Sequence, residues 1–489
     1  MGGAEKEAEV EEQLLQLQRM EAKVVSGAVN YPGVITRKRE HQLRYGIMLA
    51  ALDTFQPGAA RAGRRTNRPE VRVRTPRLGR WREKVLRTLR EPLLLTRAGA
   101  DRIAAAAKAF TPLVDELTKT RAEVVEKYAN DFSAASLDQE LGKKTLVTIA
   151  GGGGGSAYGY MGAWAGLQEA GFVPGYVIGS SMGAVLGLFR ARKKRGDFDA
   201  HVALAKSMRE RSEDVFRFVS LTTRFGLPGV MRLYLHAAIG SAFRHKDGSD
   251  LLIPDLEIPY EAVVAGVRRG AVFESTEQYA QSFYLPLESR PGPLQLRAQI
   301  GAQLVRLVGF INPRAVNEIV VGGDELTREF NAVDAAGFSA AIPGILHYDV
   351  DRDDPHMEAV LSQLMKREEV TALVDGGVAN NVPARTAWHQ VRAGKLGTRN
   401  CYFLALDCFY PQYGLGHVWL QPVTRLIAYQ VALGDRYAQR RIEMYPTLSP
   451  VTLLPSEEEL DKAVRWGRNQ IQEDIPFVAK FLERVRFEP

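Results

Sequence analysis

The chain reads Thr145-Leu-Val-Thr-Ile-Ala150, then five glycines from Gly151 to Gly155, and further on Gly179-Ser180-Ser181-Met182-Gly183. A short apolar run that ends in glycine predicts a buried strand over Lys144–Ala150. The residues after the glycines predict a helix over Ala157–Ala170, which ends at Gly171. A strand, a glycine loop and a helix in this order are typical of an α/β fold.

The second part of this stretch places a serine between a strand and a helix. Gly175–Ile178 is predicted as a short strand and Met182–Arg192 as a helix. Between them, Ser181 is the central residue of a Gly-x-Ser-x-Gly motif, in which Gly179 and Gly183 relieve crowding at a sharp turn. The context predicts that Ser181 is a nucleophile and that Ser180 supports the turn, which indicates a serine hydrolase.

The five glycines match two phosphate-binding motifs poorly. A Walker loop ends in Gly-Lys followed by Ser or Thr, whereas Gly155 is followed by Ser156-Ala157. A dinucleotide fingerprint needs an acidic residue about twenty positions further on, and none follows there on a second strand. Glycine also lets backbone N–H groups converge on one point, so the loop is interpreted as the oxyanion loop of an acyl-transfer enzyme.

A serine nucleophile needs a base, and the sequence offers an aspartate and two histidines. Asp375 ends the apolar run Thr371-Ala-Leu-Val and precedes Gly376-Gly377, so it can reach into a site from the end of a strand. A triad in the order Ser, Asp, His would use His389 or His417 instead. His389 lies in the predicted helix Pro383–Val391 and is interpreted as an ordinary helix residue.

Four ordered blocks of the chain resemble the patatin-like phospholipases, a family of serine lipid acyl hydrolases with a Ser-Asp dyad. The blocks are the glycine loop with its helix over residues 152–162, the motif at 179–183, the segment Phe338-Ser-Ala-Ala-Ile-Pro-Gly344, and Asp375-Gly-Gly with Asn381-Val-Pro. The resemblance covers about Lys144 to Asp407. It implies a three-layer α/β domain with a mainly parallel central sheet.

The resemblance also implies a mechanism and a class of substrate. Ser181 would attack the carbonyl of an acyl-ester lipid such as a phospholipid, and Asp375 would accept its proton. The N–H groups of Gly153, Gly154 and Gly155 would stabilise the oxyanion, and no metal or other cofactor would be required. On this interpretation Gly179, Gly183, Gly376 and Gly377 support the turns that carry the dyad.

The chain departs from the family in two places. Ser156 stands where the family usually has Arg or Lys, and the strand over Tyr260–Gly266 continues as Val-Arg-Arg-Gly270 instead of the usual Asp-x-x-Thr-Gly. The first departure leaves open a catalytically weak or inactive module that binds a lipid or a partner. The triad with a histidine stays a second alternative.

Length and charge suggest two regions. The 489 residues exceed one ordinary domain. We predict a helical N-terminal region over 1–140 and a catalytic domain over 141–489, which includes a helical insert at 196–255 and C-terminal helices. Within the first region, residues 61–97 hold twelve arginines and one lysine against three glutamates, whereas the net charge of the whole chain is +7.

Three interpretations of residues 61–97 stay open at this point. The stretch Trp81–Glu91 predicts a short helix with Trp81, Val85, Leu86 and Leu89 on one side and arginines on the other. Such a helix could dock on the catalytic domain, or bind an anionic membrane surface, or bind nucleic acid. Nucleic acid is the least favoured of the three, because no recognised motif accompanies the arginines.

The remaining features indicate a cytoplasmic protein, and peripheral attachment to a membrane stays open. Cys401 and Cys408 are the only cysteines, and the acidic start of the chain is not a signal peptide. No apolar run is long enough to span a bilayer. The acidic series Asp349, Asp351 and Asp353 lacks the later ligands of a calcium loop and is interpreted as a solvated turn.

Overall fold

The fold is described from a computed structural model that covers residues 3–58, 68–218, 224–269, 314–411 and 420–489. The strands in chain order are β1 Thr54–Phe55, β2 Val71–Arg72, β3 Thr145–Ala150, β4 Tyr176–Ser180, β5 Phe216–Phe218, β6 Gly229–Leu233, β7 Tyr260–Arg268, β8 Val316–Val321, β9 Gly344–His347, β10 Val370–Asp375, β11 Cys401–Asp407 and β12 Arg440–Glu443.

The helices surround these strands and account for most of the N-terminal region. They are α1 Gly3–Asn30, α2 Arg37–Ala51, α3 Pro76–Arg90, α4 Ala100–Phe110, α5 Val114–Lys127, α6 Ala134–Gly142, α7 Gly159–Glu169, α8 Met182–Arg192, α9 Phe198–Glu210, α10 Ser212–Val215, α11 Leu235–Ile239, α12 Glu325–Arg328, α13 Ala332–Ser339, α14 Pro355–Glu368, α15 Gly377–Asn380, α16 Ala384–Arg392, α17 Gln421–Gly434 and α18 Glu457–Leu482.

A mainly parallel sheet forms the centre of the molecule. Strands β7, β4, β3, β11 and β12 are neighbours in that order and run parallel, whereas β8 and β10 pair antiparallel with β7. Alternate residues of β3 face two different apolar clusters, with Leu146 on one side and Val147 on the other. Helices cover both faces of the sheet, so the predicted three-layer α/β fold is confirmed.

The register along β7 brings two distant parts of the chain together. Ser180, the last residue of β4, lies opposite Val263, and Asp375, the last residue of β10, lies opposite Val264. Strand β4 runs parallel to β7 and β10 runs antiparallel to it. The carboxyl ends of β4 and β10 therefore meet head-on along one strand.

Helices α1–α6 form the N-terminal region and share an apolar core, to which Val485 near the end of the chain also contributes. Helix α3 begins at Pro76, several residues before the predicted start, because Thr75 caps it and proline suits the first helical turn. Thr111–Leu113 forms a 3-10 turn between α4 and α5, at the point where Pro112 interrupts the regular helix.

The apolar side of α3 is buried among the N-terminal helices, which corrects the interpretation that it docks on the catalytic domain. Trp81, Val85 and Leu89 are fully buried in the N-terminal core, and the Trp81 indole donates to the Gly46 carbonyl of α2. Arg82 donates to carbonyls at the end of α2. These apolar residues pack on neighbouring helices, not on the catalytic domain, and are not free to enter a membrane. Contact of the arginines of residues 61–97 with an anionic membrane stays a prediction. Residues 61–67 lie outside the described residues.

The insert after α8 is helical only in part. It holds α9, α10 and α11, but its central portion supplies β5 and β6, which form a small second sheet with β9. The sequence of this portion is rich in aromatic and branched residues, and such residues favour strands when a neighbouring strand is available. Strand β12 follows β11 in the chain and pairs with it in parallel at the edge of the central sheet.

Helix α18 lies on one face of the sheet together with α7, and the backbones of these two helices are unusually close. A Cβ atom at Gly162 would lie 1.8 Å from the Val464 carbonyl oxygen, and one at Gly467 would lie 1.8 Å from the Gly159 carbonyl oxygen. Only glycine permits two helix backbones to approach in this way.

Across the described ranges, none of the helices has the length and apolarity that crossing a bilayer requires.

We predict that Gly162→Ala lowers the free energy of unfolding by about 2 kcal/mol or more, because the added methyl group forces the two helices apart. Gly79 is the matched control. It lies in α3 with no atom within 4 Å of an added Cβ, so Gly79→Ala should raise stability by up to about 1 kcal/mol. Urea unfolding of both variants measures the difference. Equal stability of Gly162→Ala and the parent would contradict the close packing.

Candidate active site

Ser181 lies on a strained turn between β4 and α8. Its φ of 53° and ψ of −132° fall in a region that residues with a Cβ seldom adopt. A Cβ at Gly183 would lie 2.3 Å from the Ala150 carbonyl oxygen, and one at Gly179 would lie 2.5 Å from the Gly183 carbonyl oxygen. Both glycines of the motif are therefore required by contacts with backbone, as a nucleophile elbow demands.

Asp375 reaches this turn from the end of β10. The Ser181 hydroxyl donates a hydrogen bond of 2.5 Å to Asp375 Oδ2, and the Gly377 N–H donates one of 2.7 Å to Oδ1. Both side chains are buried. A Cβ at Gly376 would lie 2.0 Å from the Val263 carbonyl oxygen, so the turn after Asp375 packs directly on β7. The structure thus brings together the two residues predicted as a dyad, with no side chain between them.

Burial changes the acidity of this aspartate. Removal from water raises the pKa of Asp375 to about 7, although the hydrogen bonds from Ser181 and Gly377 act in the opposite direction. Around neutral pH both the carboxylate and the carboxylic acid are populated. A group with this pKa can accept a proton and return it, which is the requirement for general acid–base chemistry.

The three glycines predicted for the oxyanion loop differ in their surroundings. The Gly155 N–H donates to the Pro450 carbonyl at 2.9 Å, so this amide is already engaged. Gly153 and Gly154 are partly exposed, and within the described ranges their amides donate to no other group. Gly154 also borders both cavities that reach Ser181. Two of the three amides are available to a ligand there.

Ser156, at the position where the family usually has Arg or Lys, lines neither cavity at Ser181. Its hydroxyl is buried and donates to the Leu448 carbonyl at 2.7 Å. The Tyr158 hydroxyl donates to the Leu453 carbonyl at 2.8 Å, and Gly155 binds Pro450 as described. Residues 448–453 therefore form a strap over the glycine loop, and the polar atoms that follow the glycines hold this strap.

Ser339 joins the two halves of the site and was not singled out from the sequence. Its hydroxyl accepts from the Ser181 N–H at 2.9 Å and donates to the Val263 carbonyl at 2.5 Å. Its own carbonyl accepts from the Gly376 N–H at 3.1 Å. The segment 338–344 was noted as a family block, but only the fold shows that this serine touches the elbow, β7 and the aspartate turn together.

Two apolar cavities meet at Ser181. The larger has about 930 Å³ of empty space, counting its solvent-filled mouth, and the other about 750 Å³ on the same measure. The larger is walled by side chains of α7, α8 and the insert, among them Trp164, Leu186, Phe189, Leu204, Met208, Phe216 and Leu233. The smaller holds Asp375 and is walled by Ile342, Ile345, Val423, Ile427, Val451 and Leu453.

Two polar side chains of the larger cavity, those of Arg190 and His201, are either hydrogen-bonded to the backbone or uncharged. Arg190 donates to the carbonyls of Lys193 and Lys194. Burial lowers the pKa of His201 to about 4, so its imidazole is neutral at physiological pH. The cavity that opens on Ser181 is therefore suited to hydrocarbon.

The residues considered for other roles lie away from Ser181. His389 is half-exposed on α16, where its ring contacts Trp388 and Tyr437, and it borders neither cavity. His417 lies outside the described residues. Asp349 accepts from the Arg224 and Phe225 amides, and the described ranges contain no cluster of three or more residues suited to a metal ion. Both cysteines are free thiols.

Comparison with known protein families matches the chain to the patatin-like phospholipases over residues 147–388. The matched region begins in β3 and ends in α16, so it contains Ser181, Ser339 and Asp375. No match to the chain is found among curated proteins. The resemblance predicted from the sequence is confirmed, and at the level of the family it supports a hydrolase that acts on lipid acyl esters. The chain therefore carries a domain of the patatin-like phospholipase family over residues 147–388.

Proposed function

We propose that the chain is a carboxylic ester hydrolase of the phospholipase A or lipase type, which cleaves fatty-acyl esters through Ser181 and Asp375. The observation that carries this proposal is the buried hydrogen bond of 2.5 Å between the Ser181 hydroxyl and the Asp375 carboxylate. It lies where two apolar cavities meet. A nucleophile, a base and space for acyl chains are thus found at one point.

In the first half of the reaction, Ser181 Oγ attacks the carbonyl carbon of the ester as its proton passes to Asp375 Oδ2. The carbonyl oxygen becomes an oxyanion, which the N–H groups of Gly153 and Gly154 stabilise. When the tetrahedral intermediate collapses, the bond to the alcohol breaks, and Asp375 returns the proton to the departing alkoxide. The products of this half are an alcohol and an acyl group on Ser181.

In the second half, water replaces the alcohol. Asp375 accepts a proton from the attacking water, the acyl bond to Ser181 breaks, and the proton returns to Ser181 Oγ. A free fatty acid leaves. Within this mechanism Gly155 has a structural role, because its amide holds the strap at Pro450. Ser156 also serves the strap, so its difference from the family cation does not favour the inactive-module alternative.

The direct test replaces each member of the dyad. We expect Ser181→Ala and Asp375→Asn to lower the rate of acyl-ester hydrolysis by about 10³-fold or more, because nucleophile and base act as a unit. His389→Ala is the control and should retain most activity, since His389 lies outside both cavities. Hydrolysis is measured with phospholipid vesicles, and fluorophosphonate labelling reports on Ser181. Loss of activity in a folded His389→Ala protein would contradict the dyad.

The pKa of Asp375 predicts the pH dependence. The free enzyme needs the carboxylate form as base, and this form gains population as pH rises through about 7. We therefore expect kcat/KM to increase about tenfold per pH unit below the pKa and to level off above it. A water-soluble ester assayed from pH 5 to pH 9 measures the profile. A flat profile, or one that falls as pH rises, would show that the carboxylate of Asp375 is not the base.

Ser339 is predicted to position the dyad without touching substrate. In Ser339→Ala the Ser181 N–H and the Val263 carbonyl lose their shared partner, so we expect kcat to fall about 10-fold to 100-fold with little change in KM. Ser180→Ala is the control, because Ser180 is also a fully buried serine. Its hydroxyl has no hydrogen-bond partner among the described residues. The Ser180→Ala variant should retain activity. Equal kcat for both variants would contradict the role of Ser339.

A further inference from the structure

Helix α17 has a buried face and an exposed apolar face. Val423, Ile427 and Val431 are buried, and the first two line the cavity that contains Asp375. On the opposite side Tyr429 is 68% exposed and Leu433 is 63% exposed. These two residues are four positions apart and so lie next to each other on the helix surface.

This pair stands out on the surface of the described residues. Eight large apolar side chains are exposed there, by 37% to 69%, namely those of Val10, Tyr31, Val34, Leu95, Val173, Tyr429, Leu433 and Tyr445. Tyr429 and Leu433 are the two among these eight that share one face of one helix. Isolated exposed apolar residues are ordinary, whereas adjacent ones form a continuous apolar surface, which is the kind of surface that contacts a partner or a membrane.

Helix α17 is also tied to the candidate active site by Gln430. The Gln430 side chain accepts from the Asn381 N–H at 3.0 Å and donates to the carbonyls of Val378 and Ala379 at 3.2 and 2.7 Å. The Asn381 carbonyl in turn accepts from the Gly152 N–H at 3.1 Å. One side chain therefore connects the helix to the turn after Asp375 and, through Asn381, to the glycine loop.

We propose that the outer face of α17, defined by Arg425, Tyr429 and Leu433, docks on a phospholipid bilayer. This inference rests on the proposed function, because it supplies that site with acyl-ester lipid. The occupant follows from three observations. The inner face of the same helix walls an apolar cavity that reaches Ser181, so docking places the bilayer about one helix diameter, roughly 10 Å, from the cavity.

The composition of α17 supplies the other two observations. Tyrosine beside leucine is typical of helices that lie at a membrane interface, where the ring sits at the level of the headgroups. Arg425 is exposed and is the only charged residue of the helix, which contains no acidic side chain. An anionic lipid surface would therefore attract this face and meet no like charge on it.

The rival surface is the basic segment predicted from the sequence. The apolar side of its helix α3 is buried in the N-terminal core, as described above. Leu95, which follows it, is 69% exposed and matches Leu433 in type and exposure. Leu95→Ser therefore controls for the replacement of an exposed leucine by serine. The same variant also tests whether the basic segment is the docking site.

The test uses the full chain with the double variant Tyr429→Ser/Leu433→Ser. Neither residue lines a cavity at Ser181. We expect a fall of about tenfold or more in flotation with vesicles of phosphatidylcholine and phosphatidylglycerol, and a similar fall in hydrolysis of vesicle lipid. Hydrolysis of dissolved p-nitrophenyl butyrate should stay within about twofold. Leu95→Ser should match the parent in all three assays.

Flotation is repeated in a Ser181→Ala background, so that a failure of the proposed catalysis is distinguished from a failure of docking. Vesicle binding by the double variant equal to that of the parent would overturn the proposal. A loss of binding with Leu95→Ser instead would assign docking to the basic segment. Light scattering that shows a dimer of the parent, converted to a monomer by the double variant, would assign the face to a second copy of the chain and would also overturn it.

Discussion

The candidate site depends on the head-on meeting of β4 and β10 along β7. Ser180 and Asp375 lie opposite consecutive residues of that strand, Val263 and Val264, although Ser181 and Asp375 are 194 positions apart in the chain. Because β10 runs antiparallel to β7, its last residue points toward the elbow and not toward the far end of the sheet. The hydrogen bond between hydroxyl and carboxylate is a consequence of this register.

Close backbone approach is the second constraint, and it explains the glycines that surround the dyad. The elbow packs against the end of β3, and the turn after Asp375 packs against β7, at distances that leave no room for a Cβ. Ser339 and Gln430 then tie these backbone segments together through hydrogen bonds. The site is held mainly by rigid backbone contacts, which is what preorganised stabilisation of an oxyanion requires.

In the N-terminal region and in the strap, local sequence patterns did not identify the partners of the residues. The amphipathic pattern of α3 was visible, but its apolar side could have faced a membrane, the catalytic domain or other helices, and only the packed core identifies α2 and its neighbours as the partner. Ser156 looked like a missing cation until the structure showed its hydroxyl on the strap at Leu448. Gly155 was predicted to be an oxyanion donor, but its amide donates to the Pro450 carbonyl of the strap. Each of these residues is defined by a partner far away in sequence.

The sequence by itself determined the α/β class, the family of the domain over residues 147–388, the elbow at Ser181 and the aspartate proposed as its partner. These depend on local periodicity and on short motifs of glycine, serine and aspartate. The tertiary structure alone decided that β5 and β6 are strands, that Ser339 joins both halves of the site, and that α17 presents one face to a cavity and another to solvent. The physical reason is that strand pairing, buried hydrogen bonds and exposure depend on neighbours that the fold supplies, which no local pattern of residues encodes.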